Sequence, residues 1–153
     1  MPNTNTTFRR YVSSDQDALW AMLEPTFRGG DTYAIDRDIA KEDALAYWTH
    51  SDREVWVVES DGVLLGTYYV VRNQAGGGAH VCNCGFVTAL AARGRGIARS
   101  MLKHALNQAK SLGFAAMQFN FVLSSNTHAV KLWASEGFET VGTLPKAFNH
   151  PTF

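Results

Sequence analysis

The residues best placed to do chemistry form a glycine-containing turn, Arg93 to Ala98, between two apolar segments. The segment before it, Val81 to Thr88, is typical of a strand, and the apolar residues after it recur at helical spacing as far as Gly113. Such a turn directs unpaired backbone N–H groups and the positive end of a helix at one point. Glycine is needed there because a side chain would hold a ligand away from the backbone. The sequence therefore predicts an anion site, most naturally one for phosphate.

The spacing within this turn excludes two common phosphate loops. A Walker loop ends in Gly-Lys followed by Ser or Thr, and this chain has no such sequence. A dinucleotide fingerprint needs a third glycine at the position of Arg99. The pattern that remains consists of Arg93, Gly96 and Ala98. For the hexamer alone, a solvated basic turn without a ligand is the alternative interpretation.

Two asparagines, Asn83 and Asn120, occur inside otherwise apolar segments that resemble strands. Asparagine is disfavoured in strands, and a buried amide that lacks a hydrogen bond costs about 1–3 kcal/mol. An amide can donate to a carboxylate, hold a water molecule or accept from an amine. Two hypotheses stay open: each amide serves a substrate, or each satisfies backbone groups where two strands separate.

The hydrophobic periodicity predicts an α/β order of elements that would position these residues. We expect a strand over 6–12, a helix that Pro25 ends, a loop over 27–31, a helix over 39–49 and a strand over 54–60. Asp61 and Gly62 predict a hairpin turn into a strand over 63–72, and a glycine-rich loop leads to a strand over 79–88. A helix over 96–113, a strand over 115–123, a helix over 127–136 and a short strand over 139–143 follow. The length suits a single domain, residues 1–153.

The composition, 46% hydrophobic and 18% charged residues, is typical of a globular protein. No apolar run approaches the ~20 residues that a membrane span requires, and the N-terminus lacks the pattern of a secretion signal. Cys82 and Cys84 lie two residues apart on one strand and are poor disulfide partners, so we expect reduced thiols and a cytoplasmic location. We expect Cys84 to be a small buried hydrophobe rather than a nucleophile.

The charges are unevenly distributed, although the formal net charge is zero. Residues 1–61 contain twelve acidic and six basic residues, whereas residues 62–135 contain seven basic and no acidic ones. The basic half favours a polyanionic ligand, and the acidic half favours a cationic one such as an amine. The basic residues lack the density and the interleaved aromatic residues that would favour nucleic acid, so we expect no nucleic-acid partner.

Two motifs carry a resemblance to the GNAT family of N-acetyltransferases, which use acetyl-coenzyme A. One is the turn from Arg93 to Ala98, and the other is Asn126-x-x-Ala129-x-x-Leu132-Trp133-x-x-x-Gly137-Phe138. The resemblance covers nearly the whole chain. It implies a GNAT fold with a mixed, mostly antiparallel sheet that splays between two strands and is flanked by about four helices. It also implies that the pantetheine arm lies in the resulting gap. The residues that it assigns to acetyl-coenzyme A are Phe86, Val87, Thr88, Arg93, Gly94, Arg95, Gly96, Ile97, Ala98, Asn126, Ala129 and Trp133.

Acetyl transfer to an amine needs a group that accepts the amine proton and a group that polarises the thioester carbonyl. Because residues 62–135 contain no carboxylate, a carboxylate base must come from the N-terminal half, where Glu24 and Asp31 are the first candidates. His80 and His128 are the alternatives. Tyr33, beside a glycine-rich loop, is expected at the mouth of the substrate site.

A narrower resemblance concerns the two asparagines. The segments His-Val-x-Asn83-x-Gly-Phe and Phe-Asn120-x-Val are similar to those of fungal acetyltransferases that act on L-azetidine-2-carboxylate and other proline analogues. In that branch the matching asparagines contact the small cyclic amino acid. We therefore expect Asn83 and Asn120 to take part in catalysis, with Glu24, and in substrate binding, with Tyr33.

The chain departs from the family at two places. Trp133 stands where the family often has a tyrosine that is proposed to protonate the departing thiolate, and an indole N–H cannot do so. Because a thiol has a pKa near ~8.5, water can supply that proton. The family also usually adds a last strand after the segment 144–151, whereas this sequence ends at Phe153. Either the sequence is clipped or the sheet is completed otherwise, and exposed strand edges favour a homodimer.

The expected reaction is direct transfer of the acetyl group of acetyl-coenzyme A to a primary or secondary amine of a small molecule, without a metal. One alternative is acetylation of a protein or peptide amine. The other is a non-catalytic acyl-coenzyme A sensor that kept the fold and lost the chemistry.

Overall fold

The computed structural model describes residues 5–153 and confirms the α/β fold class. Within these residues a five-stranded sheet has the order β1-β2-β3-β4-β5 and is accompanied by four α-helices. The elements are β1 (Thr7–Arg10), α1 (Gln16–Gly29), α2 (Lys41–Trp48), β2 (Arg53–Ser60), β3 (Val63–Arg72), β4 (Val81–Thr88), α3 (Ile97–Ser111), β5 (Ala116–Met117) and α4 (Thr127–Ser135).

The pairing is mixed and mostly antiparallel, as predicted. Strands β1 to β4 pair antiparallel in chain order, and β5 pairs parallel with β4. The predicted hairpin turn joins β2 to β3, with positive φ angles of 52° at Asp61 and 78° at Gly62. A two-residue turn with both φ angles positive matches the right-handed twist of the strands that it joins. The turn thereby sets the pairing of Ser60 with Val63.

The two faces of the sheet bury separate hydrophobic clusters, which fix the helices in place. Helix α3 covers one face through Ile97, Met101, Ala105 and Ala109, which pack with Tyr68, Cys82 and Cys84 of the sheet. Helices α1 and α2 cover the other face through Leu19, Met22, Leu23, Phe27, Ala44 and Trp48, which pack with Val55, Tyr69 and Val87. Because side chains alternate along a strand, even-numbered residues of β4 face α3 and odd-numbered ones face α1 and α2.

The prediction that Pro25 ends the first helix is wrong, because α1 continues through it to Gly29. A proline inside a helix costs about 3 kcal/mol, since one backbone hydrogen bond is lost. The turn that follows buries Phe27, which is 1% exposed, and burying a phenylalanine offsets about 1.5–3 kcal/mol of that cost. The helix ends instead at Gly30, whose φ of 68° is left-handed. Most of the loop predicted over 27–31 is therefore helical.

Two further predictions, strands over 115–123 and 139–143, fail at the far edge of the sheet. Only Ala116–Met117 forms a strand, because β4 turns away from this segment after Cys82 and leaves it without a partner. The segment 139–143 is not a strand, and its Val141 is 91% exposed. Among the described residues no strand follows Met117, so the sheet ends in an open edge.

Candidate functional site

The turn before α3 has the geometry of an anion site. Gly94 and Gly96 have φ angles of 76° and 77°, which favour glycine, and Gly96 is the N-cap of α3 without a side-chain cap. The N–H groups of the first helical turn, from Ile97 onward, therefore have no partner within the helix. A Cβ atom built on either glycine meets nothing within 4 Å, so a ligand has open space there. Arg93 and Arg95 are exposed beside it.

A gap opens between β4 and the segment 118–123, which leads away from this turn. The two strands pair only at Val81–Ala116 and Cys82–Met117, and the Gln118 N–H then donates to the Cys82 carbonyl at 2.8 Å. Beyond this point they diverge. Backbone groups of a strand alternate in direction, so the N–H and C=O groups of even-numbered β4 residues face the gap. Those of Phe86 and Thr88 therefore line it.

Val87 differs from its two neighbours. It pairs with Thr67 of β3, and its side chain lies in the cluster under α1 and α2. Its backbone groups consequently face β3 and not the gap. Of the three β4 residues expected at the pantetheine arm, the structure thus directs the backbone of Phe86 and Thr88 into the gap, and that of Val87 away from it.

The hydroxyl of Tyr33 lies on the gap-facing backbone of Phe86. The Phe86 N–H donates to Tyr33 Oη at 2.8 Å, and the Tyr33 hydroxyl donates to the Phe86 carbonyl at 2.7 Å. Its ring packs edge-on against Phe27 and Trp48, and burial raises the pKa of the phenol. Tyr33 therefore connects the loop between α1 and α2 to the gap-facing backbone of β4, and its expected place at the mouth of the substrate site stays a prediction.

An aromatic cluster closes the gap on the side of α3 and α4. The Trp133 ring of α4 lies 5.3 Å from Phe86 and 4.8 Å from Phe119, measured between ring centroids. Asn126 is the N-cap of α4, where its Oδ1 accepts from the Ala129 N–H at 3.4 Å. The second sequence motif thus builds the start and one face of a helix that runs beside the gap.

The two asparagines lie on the opposite side of the gap, the one that faces α1 and α2. Asn83 Oδ1 accepts from the Cys84 N–H at 2.9 Å, and Asn120 Nδ2 donates to Asn73 Oδ1 at 2.6 Å. The Cys84 N–H is a backbone donor at the point where β4 and β5 separate. Asn83 therefore contacts the backbone through Oδ1, and its Nδ2 hydrogens are the donors that it can offer to a ligand.

Comparison with known proteins explains why these features occur together. The model of the Acetyltransferase (GNAT) family matches residues 17–138, which is most of the chain. The chain belongs to the GNAT acetyltransferase family. The recognised resemblance is thereby confirmed, and the chain is an acetyl-coenzyme A-dependent N-acetyltransferase.

Individual relatives agree with this assignment. A GNAT acetyltransferase structure from Kribbella flavida has a TM-score of 0.90 and 38% identity, and the match covers 97% of this chain and 90% of that one. N-acetyltransferase aca1 of Schizosaccharomyces pombe is 33% identical over 84 residues, which are 55% of this chain and 40% of that protein. The chain thus matches less than half the length of this yeast relative.

A more distant structure shares the fold. The putative acetyltransferase yncA from Salmonella typhimurium, determined with its cofactor acetyl-CoA, has a TM-score of 0.83 and 20% identity. The match covers 95% of this chain and 86% of that one.

Among residues 5–153, the candidate bases of this GNAT domain make their side-chain contacts with residues other than those that line the gap. Glu24 is 3.5 Å from Arg28 on α1, with its side chain 46% exposed. Asp31 is exposed in the following loop, where its Oδ1 accepts from the Thr32 hydroxyl at 3.3 Å. His80 and His128 are also exposed. The structure thus brings Tyr33, Phe86, Asn83 and Asn120 to the gap without a carboxylate contact to them among residues 5–153.

The Cys84 thiol is buried, as predicted, and the Cys82 thiol is buried beside it. Cys82 and Cys84 are free and buried, and the hydrogen bond that the Cys84 thiol donates to Cys82, together with burial, raises the pKa of Cys84 well above its usual range. A thiol in that state is a poor nucleophile. Among the described residues, no helix is both long and apolar enough to cross a membrane, and no group of three or more His, Cys, Asp or Glu side chains forms a metal site.

Sequence reasoning missed one link between the two helices beside the gap. Arg99 of α3 pairs with Glu136, and its guanidinium also donates to the Ser135 hydroxyl at 3.1 Å. These contacts join the start of α3 to the end of α4. In the sequence, Arg99 was conspicuous only as the residue that replaces a third glycine, and no local pattern connects it to a residue 37 positions away.

Proposed function

We propose that this GNAT enzyme acetylates the primary or secondary amine of a small molecule, and that acetyl-coenzyme A lies in the gap between β4 and the segment 118–123. One observation carries the proposal: the glycine turn at 93–98 opens into a gap lined by the backbone of Phe86 and Thr88. The N–H groups of Ile97 and Ala98 would take the pyrophosphate. Thr88, nearer the turn, would pair with the pantetheine arm.

Phe86 lies deeper in the gap, and its N–H would polarise the thioester carbonyl. A backbone donor aimed at a developing oxyanion is a common source of rate enhancement. For this to occur the Tyr33 hydroxyl must leave the Phe86 N–H, because one N–H group has one hydrogen. Trp133 and Ala129 would pack along the arm, and Asn126 would contact it.

Transfer then needs no covalent enzyme intermediate. The amine nitrogen forms a bond to the carbonyl carbon, the C–S bond breaks, and the amine proton passes to water. Since a thiol has a pKa near ~8.5, the thiolate can take its proton from water. Asn83 and Asn120 would hold that water or the amine, which the amide N–H and C=O groups allow. Glu24 remains a candidate base only if it leaves Arg28.

The asparagine role is tested by replacing Asn83 or Asn120 with alanine. Positioned acid–base assistance is worth about 10²–10⁴ in rate, so kcat should fall at least tenfold while the dissociation constant of acetyl-coenzyme A barely moves. Amides that only satisfy backbone groups would instead lower the melting temperature and leave turnover per folded molecule unchanged. That second pattern would overturn the substrate role.

The whole proposal is tested by release of coenzyme A thiol across a panel of small amines, amino acids and peptides, with acetylated products identified by mass. We expect turnover with small amines. Turnover confined to peptides would assign the acceptor to proteins, and acetyl-coenzyme A binding without any turnover would contradict the proposal.

Two properties of the molecule are proposed with it. The free thiols support a cytoplasmic location. The unpaired segment 118–123 beyond the sheet edge, where Phe121 and Val122 are 41% and 40% exposed, supports a homodimer. The proposal includes no nucleic-acid or membrane partner. Sedimentation equilibrium gives the oligomeric state directly, and a monomer at all concentrations would contradict the dimer.

A further inference from the structure

The guanidinium of Arg53, at the start of β2, contacts two tyrosine rings. Its Cζ atom is 4.4 Å from the ring centroid of Tyr47 and 4.1 Å from that of Tyr69. The side chain is only 14% exposed. The two rings are almost perpendicular, with an interplanar angle of 85°, so these cation–π contacts meet the guanidinium from two directions and restrict its orientation under α2.

The hydrogen bonds of this cation are incomplete. Its Nε and Nη1 atoms are buried and donate to no acceptor among residues 5–153. Asp52 Oδ1 lies 3.5 Å from Nε without the geometry of a hydrogen bond, and the Asp52 side chain is 55% exposed. Buried donors without acceptors are unfavourable, and a guanidinium is suited to a carboxylate because its N–H groups match the two oxygens. Nε and Nη1 are enclosed by protein, so a ligand would reach this cation through Nη2, and the carboxylate nearest to it is that of the exposed Asp52.

Arg53 lies on the face of the sheet that carries the substrate side of the gap. It pairs with Val71, and Val71 pairs with Asn83, so the three side chains project to the same face in one row. Two strand spacings, about 10 Å, separate Arg53 from Asn83 at the backbone, and the long arginine side chain spans part of that distance. Tyr69, on which Arg53 stacks, in turn covers Gly85, where a Cβ atom would lie 2.6 Å from the Tyr69 ring.

We propose that Arg53, held by Tyr47 and Tyr69, binds a carboxylate of the acceptor, so that the acceptor class is amines that carry a carboxylate, such as α-amino acids. The carboxylate accepts from Nη2, the guanidinium nitrogen that the protein does not enclose, and the amine of the same molecule then points along the row toward Asn83 and the gap. The inference rests on the proposed function, since it assigns the acceptor of that reaction. A solely structural Arg53, which stacks α2 against the sheet, is the competing role.

The test compares each L-amino acid, cyclic ones included, with its own carboxamide, which keeps the amine and lacks the negative charge. For the wild-type enzyme we expect kcat/KM to favour the acids by about tenfold or more, the ratio that corresponds to one charge-assisted contact. In R53M, which keeps the length but not the charge, the acid-to-amide ratio should fall to near one. The loss should appear mainly as a raised KM for the acids, with acetyl-coenzyme A affinity unchanged.

Arg10 provides a matched control. It is also an arginine next to an aromatic ring, 5.9 Å from Trp56, but it lies on the α3 side of the sheet and is 57% exposed. R10M should keep the wild-type acid-to-amide ratio. Should R53M lack a cooperative thermal transition, R53K gives the same comparison, because it keeps the charge but loses the planar donors; its ratio should fall below that of the wild type.

Three results would contradict the proposal that Arg53 binds the acceptor carboxylate, each in a different way. Equal wild-type activity on acids and amides overturns the carboxylate role while the proposed function stands. A loss of activity in R53M or R53K that is the same for acids and amides assigns Arg53 a structural role and overturns the proposal. Acetyl-coenzyme A binding without thiol release from any amine contradicts the proposed function itself, and the inference falls with it.

Discussion

At the scale of single residues, the site depends on backbone groups more than on side-chain charge. The glycines of the turn at 93–98 and the gap-facing N–H of Phe86 are backbone features, whereas Arg93 and Arg95 are exposed. Exposed charges are screened by solvent, and buried charge-assisted hydrogen bonds are not. We therefore expect substitutions that change the backbone conformation of the turn to have larger effects than those that remove an exposed charge.

We predict that Gly96→Val weakens acetyl-coenzyme A binding far more than Arg95→Ala. Valine is strained at a φ of 77° and would turn the first N–H groups of α3 away from the phosphate. Charge-assisted hydrogen bonds of about 1.5–3 kcal/mol correspond to losses of about 10- to 150-fold. Loss of an exposed arginine should cost about fivefold or less. Calorimetric titration measures both dissociation constants, and equal losses would refute the ranking.

A second residue-scale prediction concerns Tyr33→Phe. The hydroxyl occupies Phe86 N–H and C=O, so acetyl-coenzyme A has to displace it. Removing the hydroxyl removes that competition, and the dissociation constant of acetyl-coenzyme A should fall by about two- to tenfold, while the melting temperature also falls. Titration of the folded variant with acetyl-coenzyme A checks this. Weaker binding by the variant would mean that the hydroxyl belongs to the bound state.

Trp133 is predicted to pack along the arm without taking part in the chemistry. Its ring contacts are with Phe86 and Phe119, and Trp133→Phe keeps an aromatic ring there. Steady-state kinetics should give most of the wild-type kcat. A loss beyond about a hundredfold, with fold and cofactor affinity intact, would show that the indole is needed for transfer.

At the scale of elements, His104 connects α3 to the sheet through a hydrogen bond with Tyr68. The imidazole accepts this bond in its neutral form. Tyr68 Oη of β3 lies 2.6 Å from His104 Nδ1, and the imidazole stacks on Phe8 of β1. Because burial raises the pKa of Tyr68, its hydroxyl stays protonated and donates to the imidazole. Burial also lowers the pKa of His104, although Glu54 of β2 opposes this.

We predict that stability falls on acidification because of this histidine. The pKa of His104 in the folded chain is below the unfolded value of about 6.5, so between these two values the unfolded chain binds more protons. The free energy of unfolding should therefore decrease as the pH drops below about 6.5 and stop changing on this account below the folded pKa. Arg10, 3.6 Å from Glu54, adds positive charge on the same side.

Urea denaturation of the wild type and His104→Gln across this pH range isolates the effect. The difference between the two free energies of unfolding should change with pH, since carboxylates titrate alike in both proteins. A constant difference between wild type and His104→Gln would show that His104 does not titrate as described.

Local sequence signals were sufficient for much of the architecture. The strand 63–72 and its Asp61-Gly62 turn agree with prediction, and α4 differs by one residue at its end. The predictions that are wrong concern segments whose structure depends on packing against residues far away in the sequence. Burial of Phe27 offsets the cost of Pro25, so α1 continues past the proline. The segment 118–123 is unpaired because it diverges from β4.

The same limit applies to the site. The glycine turn and Asn126 are recognisable because their roles are local. The contact of Tyr33 with Phe86 spans 53 positions, and the row from Arg53 to Asn83 depends on the register of three strands. No spacing in the sequence encodes such contacts.

At the scale of the whole molecule, the sheet and both helical layers converge on one gap. Helix α3 supplies the turn at its start, α4 supplies an aromatic wall, and the loop between α1 and α2 supplies Tyr33. The open edge beyond β5 is a consequence of the same divergence that makes the gap. We therefore place acetyl-coenzyme A between β4 and the segment 118–123 in the proposed function.

A crystal structure of the chain with acetyl-coenzyme A tests this claim most directly. We predict the pyrophosphate within hydrogen-bond distance of the N–H groups of Ile97 and Ala98, and the thioester carbonyl on the Phe86 N–H in place of the Tyr33 hydroxyl. The cosubstrate bound elsewhere, for example in the cleft of about 310 Å³ between residues 30–37 and 148–149, would contradict it. So would Tyr33 retaining both hydrogen bonds to Phe86 with the thioester in the gap.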